Sequence, residues 1–80
     1  MTQQSTVDRI AEVCDWILSG YARELRESNK LSQAEVARDV GVTHVAVMRW
    51  EKGERRPRGN NALAYHRVLS ILAARRREAA

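Results

Sequence analysis

Apolar residues recur along the first third of the chain at Val7, Ile10, Cys14, Ile17, Tyr21 and Leu25, in steps of three and four. That spacing returns to one face of a helix at each turn and predicts an amphipathic helix, whereas a strand would show strict alternation. Ser5 is placed to cap the start, with Asp8 three residues later, and Asn29 suits the end. Gly20 falls inside the stripe, where it costs about 1 kcal/mol relative to alanine, so the segment reads equally as one long helix or two shorter ones. Ser32 and Glu35 form a capping box ahead of Val36, Ala37 and Val40, which predicts a second helical segment from Gln33 to a stop at Gly41. Thr43 caps a further helix, with Val47 and Trp50 on its inner face and Gly53 at its end. The polar stretch Glu54-Arg55-Arg56-Pro57-Arg58-Gly59 reads as an exposed loop. Leu63, Tyr65, Val68, Leu69 and Leu72 then mark the buried side of a last helix, whose final turns carry Arg75, Arg76 and Arg77. The predicted fold class is all-α, a compact domain of four or five helices.

Length changes this picture little: 80 residues suffice for one small core and not for two. Cys14 is the only cysteine, so no disulfide forms within the chain, and no Cys and His residues stand at zinc-ligand spacing. No apolar run approaches the roughly 18 residues of a membrane span, and the expectation is a soluble cytoplasmic protein of a reducing compartment, without metal or cofactor. Phenylalanine is absent and aromatics are 5%, which suits helices better than a β-rich fold. Charge is more telling. Residues 1–40 hold five basic and seven acidic side chains, against nine and three in residues 41–80. A basic half is the footprint of a polyanionic partner, either nucleic acid or an acidic membrane surface. There is no glycine-rich phosphate loop, no evident carboxylate pair and no nucleophile beside a base, so an enzyme is not expected.

Two short helices separated only by the residues around Gly41 form a helix-turn-helix, whose second helix can enter a major groove. The residue types fit that geometry. Ala37 lets the helices approach, Gly41 permits the sharp turn and Val42 plugs the corner. With Val47 inward, His44, Val45, Met48 and Arg49 face outward, with Thr43 at the helix tip.

The run Leu31-Ser32-Gln33-Ala34-Glu35-Val36-Ala37-Arg38-Asp39-Val40-Gly41-Val42-Thr43, followed by Val47, Trp50-Glu51-Lys52-Gly53, Pro57, Gly59, Asn61, Leu63 and Leu69, resembles the lambda-repressor-like helix-turn-helix proteins, which include phage Cro and immunity repressors. The resemblance covers roughly residues 22–70. It implies a lambda-repressor-like fold and sequence-specific binding of double-stranded DNA by a transcriptional regulator, with the helix of residues 43–52 in the major groove. Gln33 matches the family glutamine that contacts phosphate and braces the reading helix. Thr43, His44, Val45, Met48 and Arg49 match the reading positions, and the loop Arg55 to Asn60 matches the one that approaches the DNA backbone. Arg26 and Glu51 match an internal ion pair. A repressor acting as a homodimer on an inverted repeat is the expected function, because one short helix reads few base pairs.

Chemistry ranks these positions. Arg49 is the candidate for bidentate contact with guanine, Val45 and Met48 for thymine methyls, and His44 for a base or a phosphate. Arg55, Arg56 and Arg58 suit phosphates. Trp16 and Trp50 are expected in the core or an interface, Cys14 as a small buried thiol, and His66 among core residues without chemistry.

The expected organisation is a single domain over 1–80, with a helical extension at 1–20, the family-like core at 22–70 and a basic helix end at 71–80. The chain departs from the family in two places. Residues 70–75 read as uninterrupted helix where the family turns into a dimer-building fifth helix, and residues 1–20 have no counterpart. That apolar-striped extension is expected to pack on the Leu63–Leu72 helix or to meet a second subunit as an antiparallel helix pair. The alternative function is an antitoxin, or another interaction module with autoregulatory DNA binding, that holds a protein partner through the N-terminal helix.

Overall fold

Five helices run in order through the computed structural model, which describes residues 4–79: α1 (Thr6–Ser19), α2 (Tyr21–Ser28), α3 (Gln33–Val40), α4 (His44–Glu51) and α5 (Gly59–Ala79). No strand occurs among the described residues. Residues 1–3 and 80, the ends of the expected extension and helix tail, lie outside them.

Gly20 resolves the first stripe into two helices. Its φ of +83° is left-handed, its N–H donates to the Ile17 carbonyl, and it ends α1 while opening α2. A residue with a Cβ is strained in that conformation. The end of α2 falls at Asn29 as expected, with the chain reversal one residue further on. Asn29 is the C-cap, but the left-handed residue is Lys30 at φ +61°, and the Leu31 N–H donates back to the Arg26 carbonyl at 3.2 Å. Asn29 acts through its side chain instead, donating its amide to the Leu25 carbonyl at 2.8 Å. Ser32 and Glu35 form the complete capping box, and Ser5 and Thr43 cap α1 and α4 through their hydroxyls. The Ser32 backbone and hydroxyl bonds hold the Glu35 carboxyl below its ordinary range.

The core gathers Val13, Leu25, Val36, Ala37, Val47, Trp50, Tyr65 and Leu69 from all five helices. α1 lies on α5, and α3 packs against both α4 and α5. The extension thus covers its own chain's last helix, with Ile17 of the stripe in the core, but on a face rotated from the centre of the stripe. Val13, outside the stripe, is fully buried, whereas Val7 is 74% exposed, and Cys14 is half-buried rather than enclosed. Side chains advance about 100° per residue, and α5 meets the side of α1 that carries Val13 and Trp16, rotated away from Val7. Leu63, expected on the buried side of α5, is likewise only half-covered.

A polar latch completes the α1–α5 contact. His66 is buried, and its Nε2 lies 2.7 Å from Glu12 Oε1. The Trp16 ring stacks on the imidazole with centroids 5.1 Å apart and planes inclined by 7°. The bond to His66 is the main cause that holds the Glu12 carboxyl below its ordinary range, and the Gln4 amide adds to it. His66 therefore has a partner from a helix 54 positions away in sequence.

Tyr65 presents the opposite case. Its ring packs on Trp50 with centroids 4.9 Å apart, while its hydroxyl is buried without a hydrogen-bond partner among the described residues. Burial pushes the phenol up from its ordinary value. A buried, unpaired hydroxyl costs about 1–3 kcal/mol of desolvation. Tyr65→Phe is accordingly expected to leave stability unchanged or raise it by about 1 kcal/mol. A thermal melt checks this, and a lower Tm would show that the hydroxyl has a stabilising partner.

Candidate nucleic-acid interface

The turn between α3 and α4 is built around Gly41, whose φ of +92° reverses the chain. Its N–H and that of Val42 both donate to the Ala37 carbonyl, at 2.8 and 2.9 Å. Two otherwise unpaired amides are satisfied within the turn, and Val42 packs against the core as a partly buried plug. α4 can therefore start at once, with Thr43 Oγ1 accepting from the Ala46 N–H at 3.3 Å.

A network of charged groups fixes α4 against the rest of the domain. Arg26 Nε and Nη2 donate to Glu51 Oε2 and Oε1 at 2.6 and 2.9 Å, and Arg26 Nη1 donates to the Leu31 carbonyl at 2.9 Å. The side chains of Arg26 and Glu51 are 11% and 3% exposed. Gln33 Nε2 donates to the same Glu51 oxygen at 3.1 Å. One carboxylate at the end of α4 thus ties together the end of α2 and the start of α3. The bond to Glu51 is the main cause that raises the Arg26 guanidinium above its ordinary value.

Thr43, Val45 and Arg49 from α4, and Arg55, Arg56 and Arg58 from the following loop, line one open concavity of about 500 Å³. Pro57, buried, anchors the loop while its three arginines remain exposed. Four arginines and no acidic side chain line this concavity. His44 and Met48 lie on α4 outside it, and Gln33 stands at the α3–α4 junction. Val45 and Met48, expected to be exposed, are both half-buried. Val45 forms part of the concave wall, and Met48 sits at the margin between the outward face and the core side. Asn61, in the first turn of α5, also lines the concavity and was not among the expected site residues. Its place in the quoted run of matching positions was the available signal.

These features define an all-α domain organised about a helix-turn-helix with a basic face. Residues 23–71 match the family model described as helix-turn-helix, and the chain belongs to that family. Over 47 residues, 59% of this chain, it is 40% identical to Repressor protein C2 of Salmonella phage P22, with 22% of that protein covered. Over 47 residues it is 36% identical to the HTH-type transcriptional regulator DicA of Escherichia coli (strain K12), with 35% of that protein covered. The matched stretch therefore spans between about a fifth and a third of the length of these relatives. No solved structure matches the chain. No helix among the described residues is long and apolar enough to cross a membrane.

Proposed function

We propose that the chain binds double-stranded DNA sequence-specifically and represses transcription, with α4 in the major groove and the Arg55–Arg58 loop on the adjoining phosphates. The observation that carries this reading is the concavity in which the outward face of α4 meets four arginines and which no acidic side chain lines. Such a surface attracts a polyanion and presents a helix of groove-filling width beside it. Arg49 reads a base edge, Val45 and Met48 meet thymine methyls, and Thr43 and His44 contact the DNA near the tip of the helix. Arg55, Arg56 and Arg58 hold phosphates. Gln33 contacts phosphate while its amide braces α4 through Glu51. Asn61 joins the backbone-facing set. Residues 1–20 serve as an extension of the single domain, 22–70 as its DNA-binding core and 71–80 as a basic helix end.

The reading is of a binding protein rather than an enzyme, working as a homodimer on an inverted repeat in the cytoplasm of a bacterial or phage-infected cell. Both relatives' names, a repressor and a transcriptional regulator, support it. The antitoxin reading, with a protein partner on the N-terminal helix, rests on the exposed Val7 and Leu18 of α1, whereas the names of both relatives favour the repressor.

Selection of bound fragments from genomic DNA at fixed salt tests the proposal. Recovery of one recurrent motif with two-fold symmetry is expected. Equal retention of all fragments, abolished by moderate salt, would reduce the surface to a non-specific polyanion site.

A further inference from the structure

α1 carries a second apolar stripe that its own chain leaves uncovered. Val7, Ala11, Cys14 and Leu18 follow one another in steps of four, three and four, so they share one face over about 16 Å of helix. Val7 and Leu18, at its ends, are 74% and 73% exposed, the two most exposed large hydrophobic side chains among the described residues. Ala11 and Cys14 at its centre are small and permit close approach of another helix. A groove of about 470 Å³ runs along this stripe, and Arg56 reaches into it from the loop before α5.

We propose that this face of α1 is the interface with a second copy of the chain, the two α1 helices running parallel about the two-fold axis. The proposal rests on the DNA-binding reading in one respect: a single eight-residue reading helix needs a second half-site, so the site is incomplete in one copy. The pattern of charge supplies the direction. Asp8 and Asp15, seven residues apart, lie along one edge of the stripe. Ile10 lies along the other and is half-buried, on the side that packs against the core. In an antiparallel two-fold pair, like edges meet, so Asp8 of one copy stands near Asp15 of the other and the two repel. In a parallel pair, unlike edges meet, and the acidic edge of each copy faces the Ile10 edge of its partner, which keeps the aspartates of the two copies apart. Val7 then meets Val7, Leu18 meets Leu18, and the two Cys14 side chains face each other across the axis.

Cys14 makes the arrangement testable without altering the chain. Sedimentation of the free protein over a rising concentration series is expected to show a monomer–dimer equilibrium. Mild oxidation should then yield a disulfide-linked dimer through Cys14, because thiols face each other only in the parallel pair. The double variant Val7→Glu, Leu18→Glu alters two exposed positions, so its helix content and Tm should match the parent while dimer and cross-link are lost. A chain that is monomeric throughout overturns the proposal, as does a dimer that survives the double variant. A dimer dispersed by the double variant but not cross-linked through Cys14 overturns the parallel arrangement. Failure of the DNA reading shows differently: the chain dimerises and cross-links as described yet selects no DNA motif.

Discussion

Glu51→Ala is expected to destabilise the domain by about 3 kcal/mol, more than most single substitutions in so small a chain. Glu51 is almost wholly enclosed and accepts from Arg26 twice and from Gln33 once. Its removal leaves the largely enclosed Arg26 guanidinium with the Leu31 carbonyl as hydrogen-bond acceptor and the exposed Glu27 carboxylate 4.0 Å away, and a poorly compensated buried charge is the costly half of a broken ion pair. For a domain of this size the loss corresponds to a fall in Tm on the order of 10–20 °C. The double variant Arg26→Ala, Glu51→Ala should be less unstable than the sum of the single changes, since it removes both charges together. Differential scanning calorimetry of the parent and the three variants checks this. A Glu51→Ala melt within experimental error of the parent would falsify the view that this carboxylate anchors α4.

Arg49→Ala and Arg58→Ala should separate reading from anchoring on the proposed DNA surface. Arg49 is on the outward face of α4, where a guanidinium can pair with guanine O6 and N7, so its loss should relax preference at one base position by about 1–3 kcal/mol. Arg58 stands exposed in the loop next to buried Pro57, where a charge holds phosphate regardless of sequence. Arg58→Ala should weaken all operator variants alike and reduce the slope of log affinity against log salt by about one. Affinities for an operator and its single-base variants at several salt concentrations distinguish the two. Identical profiles for both variants would mean that the assignment of reader and anchor is wrong.

The two predictions are linked through Glu51. It lies at the last turn of α4, so a change there alters the orientation of the helix that carries Arg49. A Glu51 variant that still folds should lose discrimination at the same base position as Arg49→Ala, without the change in salt slope expected of Arg58→Ala.

Local signals in this sequence were sufficient for everything decided within a few residues. The capping box of Ser32 and Glu35, the hydroxyl caps of Ser5 and Thr43, and the glycine stops at Gly41 and Gly53 each act between neighbours. They placed α3, the turn and α4, and with them the exposed positions Thr43, His44 and Arg49, but not the partial burial of Val45 and Met48, which depends on the neighbouring elements. The buried pair of Arg26 and Glu51, 25 positions apart, was legible only through the resemblance. Periodicity carries no information on partners across such a separation.

What the tertiary structure decided was orientation. A stripe of apolar residues shows that a helix has a face to bury, but its neighbours decide which part of that face they cover. α1 turned Val13 and Trp16 toward α5 and left Val7 and Leu18 outside. The same docking gave His66 its carboxylate partner in Glu12 and its stacking partner in Trp16, and the packing of Tyr65 on Trp50 left the Tyr65 hydroxyl unpaired. Asn61 joined the arginine-lined concavity because the start of α5 folds back beside α4, a juxtaposition separated in sequence by the whole basic loop. Helices form from interactions within a turn or two, which sequence spacing encodes directly. The angle and rotation at which they meet depend on the combined shape of all the buried side chains, which only the assembled core determines.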